Sequence, residues 1–303
     1  MDSRANIYLL NTVGLGRYMQ NISSNPLDAF FESSAVSLTA TAVTPSESAE
    51  NWGSILRGVL PRKHQLTNKA VEAGGQYNED SQYPSIFKIL SQSVNIQLAS
   101  FASWLPINTG IIEKSVKGDF YSPLSHEGFW NKLRLRLAHW FGYSFYDAIL
   151  VPKLVEYIRD FDDNHEDQKL LLFIHLTDVD EYGHAHNYGS EKYYNQIRTM
   201  GSHVETILNA IDDAGWKDDT LVIMTTDHGG IGNRHGGQSD EEVGVFIAVS
   251  GPGIKKGEIG AARNMDCAAL VLHAFGFEIP IHFDAKIQPF LSCFNHVENT
   301  IDS

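Results

Sequence analysis

Two short stretches of this sequence concentrate side chains that bind metals. Asp178-Val179-Asp180-Glu181-Tyr182-Gly183-His184 follows directly on an apolar run and sets a carboxylate at Asp180 and an imidazole at His184. An anionic oxygen and a neutral imidazole nitrogen are suitable ligands for one zinc-like ion, and Gly183 permits a turn between them. The second stretch, Thr225-Thr226-Asp227-His228-Gly229-Gly230, also closes an apolar run, and His235-Gly236-Gly237 follows it closely. A lone Asp-His pair carries little information. Here the pair sits in Gly-rich backbone, a further His-Gly-Gly recurs, and Asp180/His184 lies at another strand end, so a ligand-free polar loop is the poorer reading. His175, inside its strand, reads as a packed core histidine, and His186 as a loop residue.

A third stretch offers a nucleophile. Trp52, Ile55, Leu56 and Val59 fall at i, i+3, i+4 and i+7, so a helix starts near Ala49 with Ser48 at its N-cap. Backbone N–H groups and the helix dipole at such a position favour a phosphate or a developing oxyanion. Alone, Ser48 is an ordinary capping serine. The metal clusters make it a candidate nucleophile, because serine needs a base or a metal to lower its pKa.

The elements that must position these groups are visible as buried apolar runs at 7–11, 94–101, 170–176, 220–225 and 245–249. The first of them ends in Val13-Gly14-Leu15-Gly16. Between the runs at 170 and 220, Tyr194, Ile197, Met200, Val204, Ile207, Leu208 and Ile211 recur at helical spacing over 190–214, which makes a βαβ unit. The expected fold is α/β, a mostly parallel central sheet sandwiched by helices, with chemistry beyond the carboxyl ends of the strands. One domain over 1–303 is expected. The aromatic-rich stretch 103–146, with helical periodicity at Leu133, Leu135 and Leu137, reads as an insertion over or beside the sheet. Its aromatic rings read as core first and as a nucleobase platform second.

The chain has 303 residues, 43% hydrophobic and 20% charged, which excludes a disordered or fibrous protein. A formal net charge of −14, read with no basic cluster, argues against a nucleic-acid duplex as partner, since that binding depends on Lys and Arg neutralising phosphates. No apolar run approaches the roughly 18 residues of a spanning helix, so no membrane partner is expected. The start, MDSRANIYLL, lacks a basic segment followed by an apolar core, and Cys267 and Cys293 read as unpaired thiols, so the expectation is a cytoplasmic protein. Oligomeric state is left open.

With these residues assembled, the sequence resembles the alkaline phosphatase superfamily, and within it the type I phosphodiesterase/nucleotide pyrophosphatase branch, over nearly its whole length. The landmarks are Gly14-Leu15, Ser48-Ala49-Glu50-Asn51-Trp52, Gly58 with Pro61 and His64, Asp180 to His184, Asp227-His228-Gly229, and His235-Gly236. The resemblance implies an alkaline-phosphatase-like fold and two divalent metal ions, zinc or else manganese. It implies hydrolysis of a small phosphorylated substrate, a phosphodiester or nucleotide pyrophosphate, through a covalent phospho-serine. It assigns Asp180, His184 and His235 to one metal, which stabilises the leaving oxygen and later activates water. Asp227 and His228 would hold the other, which favours the Ser48 alkoxide, and Asn68, one residue off the family spacing, would donate to a phosphoryl oxygen.

One departure stands out. Where the family has Asp-Gly after strand one, this sequence has Val13-Gly14, and valine cannot ligate. The second metal is therefore expected to bind more weakly, with Asn11 and Asp178 the nearest polar substitutes. Alternatives within the superfamily are a phosphomonoesterase, a phosphonate hydrolase, or a catalytically impaired relative that keeps a metal. Sulfatase is disfavoured, because Ser48-Ala49-Glu50-Asn51-Trp52 lacks the proline and arginine of that branch's motif.

Overall fold

Alternation along the first strand decides how the sheet is covered: Ile7 and Leu9 enter one apolar layer, and Tyr8 and Leu10 enter the layer on the opposite face. The computed structural model describes residues 6–23, 25–164 and 168–294. Its strands are β1 (Asn6–Thr12), β2 (Ala35–Ser37), β3 (Ile96–Ala102), β4 (Asp119–Tyr121), β5 (Lys169–Leu176), β6 (Thr220–Thr226), β7 (Ile247–Ser250) and β8 (Gly257–Glu258). They form one sheet in the order β4-β3-β5-β1-β6-β7-β2-β8. β1 runs parallel between β5 and β6, with Thr12 level with both Leu176 and Thr226. Three strands thus end at one height, and metal-binding side chains cluster in the sequence that follows two of them, β5 and β6.

The sheet is mixed. β7 runs antiparallel to both β6 and β2. Strand direction is not readable from the apolar run at 245–249, because a strand buried on both faces looks the same in either direction. The strand itself starts two residues later than that run: the Val245 N–H bonds to Ala40 O, and Val245 lies outside the ladder.

Helices cover both faces. On one side lie Tyr146–Asn164, through Leu150, Leu154 and Ile158, and Glu191–Asp213, through Tyr193, Ile197, Met200, Val204 and Ile207. The second of these is capped by Ser190, whose side chain accepts from Tyr193 N. On the other side lie Ser48–Arg57, whose Trp52 stands edge-on to Phe173 at 5.9 Å, and Cys267–Ala274. Cys267 and Cys293 are free and buried.

The Ser48–Arg57 helix differs from expectation in one detail. Glu47, with extended backbone, is the N-cap, and Ser48 is the first helical residue. Ser48 Oγ does not cap the helix because it is turned toward His228. The helix stops at Gly58, whose φ of +62° suits glycine and whose N–H returns to Ser54 O at 2.8 Å.

The 103–146 stretch is only partly an addition to the sheet. β4 belongs to it and pairs in parallel with β3 as the sheet's edge. Its rings are not all core either. In the helix Phe129–Trp140 the single buried residue is Leu135, while Phe129, Trp130 and Trp140 face outward. Among the described residues no helix is long and apolar enough to cross a membrane.

Candidate active site

The site is assembled where β1, β5 and β6 end. Asp180 and His184 do not need the expected turn: both lie on the helix Asp178–His186, four residues apart and on one face. Gly183 serves a different purpose. A Cβ there would stand 2.5 Å from the ring of Tyr188, which lies against it, and the Tyr188 hydroxyl donates to Asp180 Oδ1. Asp180 Oδ2 faces His184 Nε2 at 3.3 Å. His235 completes the group: one ligand atom from each of Asp180, His184 and His235 can be chosen so that all lie within 4.8 Å of one another.

Asp227 and His228 follow β6 and are fully buried. Asp227 Oδ1 accepts from Gly14 N at 3.1 Å and from its neighbour His228 N at 2.9 Å. Its other oxygen, Oδ2, has no hydrogen-bond partner and lies 3.2 Å from His228 Nε2. Ser48 Oγ lies 3.1 Å from the same nitrogen. Burial pushes the His228 imidazole down to about 3, so it is neutral and this contact is not an ion pair. Burial, followed by the charge of Asp180, pushes the Asp227 carboxyl well up. Two acceptors 3.2 Å apart in a dry site must have a proton or a cation between them.

The three histidines share one arrangement. His184 Nδ1 lies 3.0 Å from Asn233 O, His228 Nδ1 2.8 Å from Gly229 O, and His235 Nδ1 2.9 Å from Ser46 O. A carbonyl only accepts, so each Nδ1 carries the hydrogen and each neutral ring keeps its lone pair on Nε2. Histidine ligands of metals characteristically have this second partner. The donor set of two imidazoles and a carboxylate, the fixed tautomers and the unpartnered Asp227 Oδ2 all suit divalent ions.

Protonation in the metal-free protein follows from the same contacts. The Asp180 hydrogen bond raises His184 to about 9, against the opposing effect of burial. Burial raises Asp180, but its bond from His184 and the positive charge of that imidazole outweigh this, and its carboxyl ends well below the usual range.

A cavity of about 340 Å³ is lined by Ser48, Asn68, Asp180, His184 and His235, with Val13 and His175 also on its wall. Val13 is 2% exposed, so an apolar side chain occupies the wall at the end of β1. Neither polar substitute reaches this place. Asn11 donates to the Leu9 and Ile174 carbonyls, and Asp178 accepts from Ser144 Oγ, Tyr146 N and Asp147 N. Asn68 stands beside Ser48 with both amide ends engaged, Oδ1 accepting from Ala49 N at 2.7 Å and Nδ2 donating to Glu47 Oε2 at 3.0 Å. His175 is buried as expected, 4.9 Å from the Trp52 ring, yet it also borders the cavity with neither ring nitrogen bonded. His186 closes the Asp178–His186 helix, its Nε2 against Gly142 O at 2.9 Å.

Two contributors carry no sequence signal. Tyr188 is eight residues from Asp180 in an unpatterned loop, and Glu47 holds Asn68 while its carboxylate lies 3.6 Å from His235 Nδ1. His64, one of the landmarks, is structural: its Nε2 lies 3.1 Å from both Ser54 Oγ and Glu50 O.

Comparison with known proteins agrees with this architecture. The chain is 35% identical over 101 residues to the low-salt glycan biosynthesis sulfotransferase of Haloferax volcanii, covering 29% of this chain and 25% of that protein. It is 30% identical over 106 residues to GPI ethanolamine phosphate transferase 1 of Homo sapiens, covering 34% of this chain and 11% of that protein. The matches therefore span a quarter or less of these curated relatives. Among solved structures, murine ectonucleotide pyrophosphatase / phosphodiesterase 5 superposes with a TM-score of 0.72 at 11% identity, covering 96% of this chain and all of that one. The shared fold is an α/β sheet flanked by helices, as in alkaline-phosphatase-like proteins. The family model described as Type I phosphodiesterase / nucleotide pyrophosphatase matches residues 9–236, and with that span the chain belongs to this family.

Proposed function

We propose that this protein hydrolyses phosphodiester or nucleotide pyrophosphate bonds, with Ser48 as nucleophile and two divalent ions at the clusters described. The observation that carries the reading is the position of Ser48 Oγ, 3.1 Å from His228 Nε2, the nitrogen that also faces the unpartnered Asp227 Oδ2 at 3.2 Å, in the lining of a cavity that also holds Asp180, His184 and His235. Asp180, His184 and His235 would hold one ion, and Asp227, His228 and Ser48 the other. Two imidazoles and one carboxylate suit zinc, with manganese the alternative. Bound there, divalent ions supply Lewis-acid charge at the attacking and leaving oxygens of an in-line displacement.

The chain's own groups account for the rest. Ser48 Oγ forms the bond to phosphorus as the bond to the leaving oxygen breaks, and water then cleaves the Ser48–phosphorus bond. Asn68 Nδ2, on exchanging Glu47 for substrate, donates to a phosphoryl oxygen. A small phosphorylated substrate, such as a nucleotide, suits a cavity of this size, and the murine relative has been solved in complex with AMP. Two buried free thiols fit a reducing compartment.

The test pairs metal content by elemental analysis with turnover of a nitrophenyl phosphodiester and monoester by wild type and Ser48→Ala. The expected result is two ions per chain, diester turnover, and a loss on the order of a thousandfold in the variant with unchanged folding. One ion with no turnover would instead identify a relative that binds without cleaving, and full activity in Ser48→Ala would end the covalent mechanism.

A further inference from the structure

The helix Phe129–Trp140 puts its most apolar face into water. Phe129 is 71% exposed, Trp130 77% and Trp140 84%, with Leu133, Leu137, Phe141 and Tyr143 exposed beside them. At 3.6 residues per turn, Phe129, Trp130, Leu133, Leu137 and Trp140 fall within an arc of about 100°. Leu135, the one buried position, lies on the opposite side of the helix. The apolar arc therefore points away from the body of the protein.

Charge follows the same geometry. The whole chain carries −14, yet between Glu127 and Asp147 it has Lys132, Arg134 and Arg136 and no acidic residue. Reading no basic cluster into the sequence overlooks this one, because it is spread over alternate positions. Arg134 and Arg136 fall on the two flanks of the apolar arc, and Arg134 lies over the Phe145 ring at 5.4 Å. An apolar stripe bordered by cations on a helix lying along a surface is the arrangement of an interfacial helix, with aromatic rings among the acyl chains and guanidinium groups among the headgroups.

We propose that this face docks the protein on an anionic lipid bilayer. The absence of a spanning run does not bear on binding of this kind, which needs no crossing. A second copy is the poorer occupant, since a two-fold contact would set Arg134 and Arg136 against their own counterparts. The acidic remainder of the chain does not oppose docking strongly at physiological salt, where fields fade over about 8 Å. The helix also borders the candidate active site. His139 lines the cavity and lies 2.8 Å from Glu181, so docking holds the cavity mouth next to the headgroup layer.

The test is flotation of the full chain with phosphatidylcholine vesicles and with vesicles that also contain phosphatidylserine, at low and high salt. Wild type is expected to float with the mixed vesicles and to be released by salt. The double variant Trp130→Asp/Trp140→Asp should stay in solution. Arg134→Gln/Arg136→Gln should bind about thirtyfold more weakly, from roughly fivefold per basic residue near an anionic surface. Turnover of a soluble nitrophenyl diester by Trp130→Asp/Trp140→Asp should match wild type, so vesicle binding and the hydrolase reading stand or fall separately. Wild type that floats with neither vesicle overturns the proposal. So does sedimentation as a dimer that Trp130→Asp dissociates, because the face would then belong to a second copy.

Discussion

The ring of His235 lies on that of His228, centroids 3.8 Å apart and planes 22° from parallel. Two imidazoles in this position cannot both be charged at low cost, and the charge of His235 is one of the forces, after burial, that keep His228 neutral. Neutral imidazole is the form that binds metal. The stack thus couples the two proposed ion sites through the protonation of their ligands.

Tyr188 should matter to metal affinity without contacting metal. Its hydroxyl fixes Asp180 Oδ1 and leaves Oδ2 toward His184. Tyr188→Phe keeps the ring between Gly183 and Gly230 and should fold normally, while affinity at the Asp180/His184/His235 cluster falls tenfold or more, on the order of other outer-shell changes. Competition against a chromophoric chelator reads this directly, and unchanged affinity would exclude the role.

Gly14 is constrained twice. Its φ is +64°, and a Cβ would stand 2.2 Å from Asp180 Oδ1. Gly14→Ala should cost more than about 1 kcal/mol in denaturant unfolding, from backbone strain alone, and should also weaken metal binding by displacing Asp180. Stability lost without any change in metal affinity would show that the chain yields elsewhere.

Val13→Asp should act in opposite directions with and without metal. The site is buried, and an unpartnered carboxyl there should destabilise the metal-free protein by about 1–3 kcal/mol. Zinc should restore the loss and bind more tightly than in wild type. Thermal melts with chelator and with zinc give both values, and a variant insensitive to zinc would mean that position 13 does not face the second ion.

The pH dependence follows from His184, which is raised from its ordinary 6.5 to about 9 chiefly by the Asp180 hydrogen bond. A raised histidine stabilises the metal-free fold fully below pH 6.5, and that contribution is lost as pH rises through about 9. A metal must displace the same proton, so metal affinity should increase over this window while metal-free stability falls. Calorimetry in buffers of different ionisation enthalpy should show proton release on binding at neutral pH; binding without proton release would contradict the assignment.

Much of this site is legible in the sequence because it rests on strand ends. Asp180, His184, Asp227 and His228 follow apolar runs whose length and burial set β5 and β6, and the Trp52/Ile55/Leu56 spacing places Ser48 to within one residue. The direction of β7 is not legible, since pairing direction leaves no trace in an apolar run. Nor is the three-residue edge strand β4, which is too short and too exposed to show a period. Tyr188 escapes because its role is one hydroxyl reaching back eight residues, and the exposed rings of Phe129–Trp140 escape because hydrophobicity alone does not tell an inner face from an outer one.

The carbonyls of Asn233, Gly229 and Ser46 fix the tautomers of His184, His228 and His235. Main-chain oxygens are present whatever residue is encoded, so the choice of side chain at 46 or 233 does not remove them; Gly229 is the exception, since a Cβ there would stand 2.0 Å from Glu241 O and would shift the backbone. The orientation of His184 and His235 is therefore held by main chain, while Asp180 is held by the Tyr188 side chain and is exposed to substitution there. A scaffold of this kind can lose a ligand at position 13 and still present its histidines correctly, which makes it a starting point from which metal number and reaction can change by one residue at a time.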